Sequence, residues 1–184
     1  LWQAIPGGEV VLEVDDAPPA RPPRFKVQPF YMARYPITVA QWQAFVDADD
    51  GYDALVRRVW RVEPGAQRGR VNQPAVSISW FEAIAYCRWL TRVVGHEVRL
   101  PTEWEWQQAA TAGDAQRKHP WGEWRAGCAN TVESQLGRMT AVGVYPAGES
   151  VHGVFDLAGN VWEWCLNAYD TPKDVSEDGD ARRV

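Results

Sequence analysis

The sequence predicts an α+β fold, in which short strands at the start of the chain are followed by a few helices and a long irregular stretch. Three observations predict it: apolar residues alternate before residue 36, three helices begin with the same capping signal, and helical periodicity ends after Ala112. The chain has 184 residues, enough to bury a full core. We therefore expect one domain over residues 1–184.

Two strands are expected before the first helix. Leu1–Val14 contains a Pro-Gly-Gly turn followed by alternating apolar residues, and its latter part is predicted to be a strand. Arg24–Tyr35 alternates again and predicts a second strand. Pro29 restricts part of that strand to a sheet edge, because proline has no N–H to donate. The acidic, Pro-rich stretch Asp15–Pro23 between them is predicted to be a loop.

Three helices are expected, each announced by a Ser or Thr followed three residues later by Glu or Gln, the pattern of a capping box. The predicted helices, each with its capping residue, are Val39–Asp47 after Thr38, Trp80–Val94 after Ser79, and Glu103–Ala110 after Thr102. Gly95 provides the stop of the second helix. Cys87 lies on the apolar stripe of that helix, where a core role is favoured over a nucleophilic one.

The remaining segments are expected to be irregular. Gly51–Pro74 is rich in arginine; it is either an anion-binding loop or a solvated connection, and the lack of sustained basic-aromatic alternation favours the connection. After Ala112 the chain is predicted to form loops with short strands such as Ala141–Tyr145. The tail Asp170–Val184 is polar and rich in turn-forming residues.

Composition and motif content disfavour several classes of function. A formal net charge of −5 with dispersed basic residues gives no nucleic-acid or membrane footprint. Cys87, Cys128 and Cys165 form no CxxC pair, which disfavours a disulfide framework and, together with the lack of a secretory signal pattern, predicts a cytoplasmic location. No nucleophile elbow, phosphate-binding loop or HExxH zinc motif is present, so no catalytic residue is predicted.

The segment Gly153–Trp164, GVFDLAGNVWEW, carries the sharpest chemical signal. Two carboxylates, Asp156 and Glu163, flank a turn of small residues. If the run after the turn is extended, Trp162 and Trp164 share one face, and burial of the two indoles would draw Glu163 into a poorly solvated position. A buried carboxylate needs a cation, an arginine or several hydrogen-bond donors. The residues alone leave these alternatives open.

Five motifs carry a resemblance that covers nearly the whole chain. They are IPGGEV near the start, YPITVAQWQAFV at Tyr35–Val46, SWFEAIAYCRWL at Ser79–Leu90, RLPTEWEWQQAA at Arg99–Ala110 and GNVWEW at Gly159–Trp164. With them the chain resembles the formylglycine-generating enzyme (sulfatase-modifying factor) family. The resemblance implies a variant of the C-type lectin fold, with two main helices, a small antiparallel sheet and much irregular structure. The family includes a copper-dependent oxidase, sulfoxide synthases, variable proteins of diversity-generating retroelements and bacterial sensor domains.

The resemblance also implies two calcium sites. In the first, carboxylates and backbone carbonyls would give calcium its preferred all-oxygen shell; the matching residues are Asp156, Gly159, Val161 and Glu163. The alternative is that Glu163 meets an arginine or backbone donors instead. The second site would fall on Asn130, Thr131, Ser134 and Leu136. There the acidic ligand usual in the family aligns with Ser134, and Glu133 is adjacent to that position.

The catalytic residues of the family have no match in this chain. The copper-binding cysteine pair of the oxidase follows an Arg-Gly-Gly-Ser-Trp element downstream of GNVWEW, and the chain reaches Val184 without that element. The iron ligands of the sulfoxide synthases lie on a separate domain. The resemblance therefore implies a domain missing its C-terminal segment, with sheet edges that a second chain is able to complete.

Two functions from different classes follow. The first is a non-catalytic module that binds a protein or other ligand on a calcium-stabilised lectin-type scaffold. The second is a copper-dependent formylglycine-generating oxidase acting on a protein cysteine, with its catalytic cysteines beyond residue 184. A scaffold domain within a larger bacterial signalling or defence protein is a third interpretation. The resemblance favours the first, because family members with a similar EWEWQQAA segment mostly lack the cysteine pair; neither Cys128 nor Cys165 matches a position of that pair.

Overall fold

A computed structural model describes residues 1–12, 23–67, 69–168, 173 and 175. The chain forms two compact units, each built from two separate stretches. Unit 1 comprises Leu1–Pro36 and Pro101–Asn160, and unit 2 comprises Ile37–Leu100 and Val161–Val184. The single domain expected over residues 1–184 therefore has an internal division.

Unit 1 contains the four strands of the described chain, in two antiparallel pairs. β1 (Trp2–Ile5) pairs with β4 (Phe30–Ala33), and β2 (Gly8–Val11) pairs with β3 (Arg24–Val27). The register places Ile5 opposite Phe30 and Gly8 opposite Val27, so the second pair continues the first after a break. Each break contains a proline, Pro6 or Pro29, which has no N–H to give to the ladder. The strand predicted after the Pro-Gly-Gly turn is β2, whereas β1 precedes that turn and was not predicted; the strand predicted within Arg24–Tyr35 is divided into β3 and β4.

Helix α4 (Glu103–Thr111) packs against β2 and β3 in unit 1. Thr102 begins it with the predicted capping box: its hydroxyl accepts from the N–H of Glu105, and the Glu105 carboxylate accepts from the N–H of Thr102 at 2.8 Å. Phe25 of β3 stacks on Trp104 with ring centroids 4.5 Å apart. The buried cluster behind the helix is formed by Ile5, Ala109, Ala110, Val154 and Leu157.

Unit 2 contains the other helices. They are α1 (Val39–Asp47), α2 (Arg58–Trp60) and α3 (Trp80–Val94), with a π-helical turn at Asp53–Arg57 leading into α2. Both long helices have the bounds expected from the sequence and begin with complete capping boxes, each worth about 1 kcal/mol. Gly95 ends α3 in the left-handed conformation, with φ 72°.

The core of unit 2 is aromatic. Its buried members are Trp42, Phe45, Tyr52, Val56, Ala85, Tyr86 and Trp89. The rings of Trp42 and Phe45 of α1 pack edge to face with their centroids 5.2 Å apart, an arrangement that aromatic quadrupoles favour. A second cluster forms where Leu166 packs against Trp80 and Ile84 of α3. Three of the chain's eleven tryptophans, Trp42, Trp80 and Trp89, are thus buried in these two clusters.

Several expectations for the irregular regions are decided by the structure. Ala141–Tyr145 forms no strand, and the regular pieces of that half are short 3-10 turns at Val132–Ser134 and Pro146–Gly148. The prediction that Gly51–Pro74 is irregular is wrong in part, because this segment contains the π-helical turn and α2. Its Arg57 pairs with Asp53 at 2.7 Å and with Glu63 at 2.9 Å.

Cys87 is buried on α3, in agreement with a core role. In the described part of the chain, no helix is long and apolar enough to cross a membrane. The loop expected at Asp15–Pro23 lies outside the described residues up to position 22, and most of the tail Asp170–Val184 also lies outside them.

Candidate functional site

Asp156 is held in an unusual position at the end of unit 1. Its backbone is left-handed, with φ 59°, a conformation that aspartate tolerates better than most residues. Its Oδ2 accepts a hydrogen bond of 2.6 Å from the N–H of Gly143. Burial raises the pKa of the Asp156 carboxyl, and the Gly143 hydrogen bond offsets part of that rise. Asp156 is thus a desolvated carboxylate with one hydrogen-bond donor from the described chain.

The turn that follows Asp156 is fixed by contacts with the loop at Asn130. The N–H of Asn160 donates to the carbonyl oxygen of Asn130 at 2.8 Å. Gly159 passes so close that a Cβ on it would lie 2.5 Å from the same oxygen. The φ angles of Gly159 and Asn160 are 81° and 65°, so both residues occupy the left-handed region that glycine and asparagine tolerate.

The amide of Asn160 completes this arrangement within unit 1. Its Oδ1 accepts from the N–H of Thr140 at 2.9 Å and from Nδ2 of Asn130 at 3.2 Å. With these contacts the Asn160 side-chain oxygen is committed to protein donors. The backbone carbonyl of Gly159, in contrast, accepts no backbone hydrogen bond from the described residues.

The expectation that both indoles of this segment are buried is wrong. Trp162 is fully exposed, at 102% of its reference area. Trp164 is 47% exposed, and its indole N–H donates to the carbonyl of Ile78 at 2.8 Å. Residues 162–165 lie outside any strand, so the strict alternation of faces that the expectation assumed does not hold. Glu163 is half-buried between the two tryptophans.

The residues predicted for the first calcium site are of the chemical types that bind a hard cation. Asp156 retains acceptor capacity beyond its one donor, because an ionised carboxylate offers about four lone-pair positions. The carbonyls of Gly159 and Val161 accept no backbone hydrogen bond from the described residues. Two carboxylates and two carbonyls are the ligand types that calcium prefers. The donor set is therefore chemically suited to the ion that the resemblance implies.

The residues predicted for the second calcium site are bonded to each other. The hydroxyl of Ser134 lies 2.9 Å from Oδ1 of Asn130 and 2.7 Å from the carbonyl of Thr131. Nδ2 of Asn130 donates to the carbonyl of Arg138 at 2.8 Å, which fixes the orientation of its amide. Leu136 is exposed. No carboxylate is among these four candidates, and so the set does not fit calcium.

Cysteines and histidines build no cluster in the described chain. Cys87 and Cys165 belong to unit 2 and Cys128 to unit 1, and Cys87 and Cys128 are buried. Among the described residues, no three His, Cys, Asp or Glu side chains are grouped so as to hold a metal ion.

Sequence reasoning missed the groups that support the Asp156 turn. Gly143 and Thr140 contribute backbone N–H groups to the side chains of Asp156 and Asn160. A backbone donor has no side-chain signature, so neither contact could be found from residue type. Gly143 had one detectable signal: the Ala-Val-Gly run predicts a turn, and its φ is 67°.

Several known proteins resemble this chain in sequence. Residues 3–184 match the family described as the sulfatase-modifying factor enzyme 1-like domain. A formylglycine-generating enzyme of Streptomyces coelicolor is 38% identical over 58% of this chain and 37% of its own length. A hercynine oxygenase of Mycolicibacterium smegmatis is 30% identical over 87% of this chain and 44% of its own. The chain thus spans less than half the length of these relatives.

Solved structures identify the fold. The variable protein 1 of Treponema denticola superposes with a TM-score of 0.66 at 19% identity, over 91% of this chain and 72% of the other. PvdO of Pseudomonas aeruginosa superposes with a TM-score of 0.61 at 20% identity, over 91% and 70% of the two chains. At these identities the likeness establishes the fold alone. The α+β architecture is therefore the formylglycine-generating-enzyme variant of the C-type lectin fold that the sequence predicted.

Proposed function

The chain belongs to the sulfatase-modifying factor enzyme 1-like family, and we propose that it acts as a non-catalytic module. In this proposal it binds a protein ligand through the indoles of Trp162 and Trp164, which stand on a calcium-stabilised scaffold. The single observation that carries the proposal is the full exposure of Trp162. Tryptophan is the residue type most enriched at the centres of binding interfaces, where its large apolar face provides much of the affinity.

The position of Trp162 supports a binding role over a packing role. Its neighbour Trp164 is anchored by the hydrogen bond to the Ile78 carbonyl, and Leu166 is buried against α3. The backbone that carries Trp162 is therefore tied to unit 2 a few residues further on. An indole presented on an anchored segment loses less entropy on binding than one on a mobile loop.

Calcium enters the proposal as a structural cofactor. We assign it to Asp156, Gly159, Val161 and Glu163, the residues implied by the family resemblance. The desolvated carboxylate of Asp156 supports this assignment, because bringing a charge into a poorly solvated position is unfavourable unless a cation or donors compensate. A cation at this segment would fix the backbone immediately before Trp162.

The binding proposal is tested with a phage-displayed random peptide library, selected on the purified chain in calcium. Peptides that bind are expected to lose affinity by about tenfold or more on Trp162→Ala, the loss of a single hot-spot contact. The matched control is Tyr31→Ala, which removes another exposed aromatic ring, 72% exposed, from unit 1. Peptides whose binding survives Trp162→Ala but not Tyr31→Ala would contradict the proposal.

A second function is favoured by a separate observation, the 38% identity to the Streptomyces coelicolor formylglycine-generating enzyme. In this alternative the chain is part of a copper-dependent oxidase that converts a protein cysteine to formylglycine, with its catalytic cysteines beyond residue 184. The test incubates the protein expressed from the full gene with copper(I), dioxygen, a thiol reductant that supplies two electrons, and a cysteine-containing sulfatase peptide; the second oxygen atom leaves as water and the sulfur leaves as sulfide. Formation of the aldehyde, measured by mass spectrometry, would support the oxidase over the binding module.

A further inference from the structure

The Asn130–Leu136 loop occupies the place of the second expected calcium site. We infer that this loop takes no calcium and is instead closed by a hydrogen-bonded brace, whose members are Asn130, Ser134, Thr140 and Asn160. The brace holds the Gly159–Asn160 turn from within unit 1. The inference uses the proposed function only in treating that turn as part of the first calcium site.

The hydroxyl of Ser134 is hydrogen-bonded within the loop. It lies 2.9 Å from Oδ1 of Asn130 and 2.7 Å from the carbonyl of Thr131, and it has one proton to donate to either acceptor. A hydroxyl bound to a cation turns its proton away from that cation and so away from the other ligands. Donation by Ser134 to Asn130 or Thr131 and calcium coordination by the same three oxygens therefore exclude each other.

The side-chain amide of Asn130 is also hydrogen-bonded within unit 1. Its Nδ2 has two protons, and both have acceptors: the carbonyl of Arg138 at 2.8 Å and Oδ1 of Asn160 at 3.2 Å. The orientation of the amide is thus determined by two bonds on its nitrogen side, and its oxygen faces Ser134. Every polar atom of this half-buried side chain has a protein partner, so a metal ion would have to displace existing hydrogen bonds.

The four candidate ligands of this loop carry no negative charge. Calcium affinity rises with the number of carboxylate ligands, and the candidates Asn130, Thr131, Ser134 and Leu136 provide none. Glu133, between them in sequence, is exposed. A neutral oxygen set attracts a cation only through its dipoles and so offsets less of the loss of calcium's hydration shell than carboxylates do.

The brace also explains the shape of the neighbouring turn. The carbonyl of Asn130 accepts the N–H of Asn160 at 2.8 Å, and the N–H of Thr140 donates to Oδ1 of Asn160 at 2.9 Å. These bonds hold Asn160 at φ 65°. The turn is therefore expected to keep its conformation when calcium is removed.

The first test is calcium stoichiometry, measured by atomic emission after dialysis against micromolar calcium. We expect one ion per chain in the wild type and none in Asp156→Asn. Two ions in the wild type, or one remaining in Asp156→Asn, would overturn the inference, because the loop would then hold calcium. A wild type that binds none agrees with the metal-free loop and instead refutes the calcium site at Asp156.

The second test is thermal unfolding of Ser134→Ala in calcium and in chelator. The brace predicts the same loss of melting temperature in both, since the hydroxyl acts through hydrogen bonds. The control is Ser77→Ala, at an exposed serine for which the structure gives no side-chain hydrogen bond, and its melting temperature should stay at the wild-type value. A loss for Ser134→Ala that occurs only in calcium would identify Ser134 as a ligand and overturn the inference.

Discussion

The phenol of Tyr52 donates a hydrogen bond of 2.6 Å to Oε1 of Glu82 inside unit 2. Tyr52 is fully buried, and Glu82 is 6% exposed. Oε2 of the same carboxylate accepts from the N–H and the hydroxyl of Ser79, at 2.8 and 2.7 Å. The capping glutamate of α3 therefore also ties that helix to the residue before the π-helical turn, and three donors stabilise its buried charge.

Tyr52→Phe removes one of those donors and leaves Oε1 of Glu82 buried without it. We expect the free energy of unfolding to fall by about 1–3 kcal/mol, the cost of an unsatisfied buried acceptor, as measured by urea denaturation at neutral pH. The control is Tyr31→Phe, which removes the hydroxyl of a tyrosine that is 72% exposed. Equal losses in the two variants would mean that the Tyr52 hydrogen bond has no special role.

The same contact predicts sensitivity to alkali. Burial, together with the Glu82 carboxylate, raises the pKa of Tyr52 well above its ordinary value, and burial raises the pKa of Tyr86 to about 12. Both groups therefore contribute stability that is fully present below the unfolded-state pKa of about 10. Stability should fall as pH rises above that value, by up to about 1.4 kcal/mol per pH unit for each group. Tyr52→Phe should show a shallower decline in urea midpoint between about pH 9 and pH 11.

Asp156→Asn should abolish calcium binding without changing the stability of the calcium-free fold. Asparagine also adopts φ near 59° and can accept from Gly143, so the melting temperature in chelator should stay close to that of the wild type. Wild-type stability should rise in calcium by about 2.7 kcal/mol at 100 times the dissociation constant, and the variant should lose this increment. Glu163→Gln should lose it as well. Identical wild-type melting curves with and without calcium would refute the site.

Trp162→Ala and Trp164→Ala should differ in their effect on folding. Trp162 is fully exposed, so its removal should change the free energy of unfolding by less than about 0.5 kcal/mol. Trp164 is partly buried and donates to the Ile78 carbonyl, so its removal should lower stability by about 1 kcal/mol or more. Chemical denaturation of the two variants checks the difference. A strong destabilisation by Trp162→Ala would mean that this indole packs in solution.

Gly159→Ala should destabilise the turn through contact with Asn130. The added Cβ would lie 2.5 Å from the Asn130 carbonyl oxygen, at a backbone φ of 81°. Gly127 has the same φ, but a Cβ there would meet open space, so Gly127→Ala carries the backbone strain without the clash. We expect both variants to lose about 1 kcal/mol from strain, and Gly159→Ala to lose more. Equal melting temperatures would show that the Asn130 loop moves aside.

The helices were predictable because their signals are local. A capping box and an apolar stripe lie within a few residues of each other, and Thr38, Ser79 and Thr102 each begin a helix as expected. β2, β3 and β4 lie where strands were predicted and β1 was missed, because the pairing depends on partners as far apart in the chain as Trp2 and Ala33. The Ala141–Tyr145 strand was wrong because an alternating run forms a strand only where another strand can pair with it.

Residue order alone was enough to establish the family, the bounds of α1 and α3, and the identity of the residues that carry the calcium proposal. The exposure of Trp162, the bond from Ser134 to Asn130 and the donation from Gly143 to Asp156 became known only from the folded chain. The physical reason is that exposure and hydrogen bonding depend on which distant segments pack together. The chemistry of a side chain determines which hydrogen-bond or ionic partners it needs, and the packing of distant segments determines which partners lie within reach.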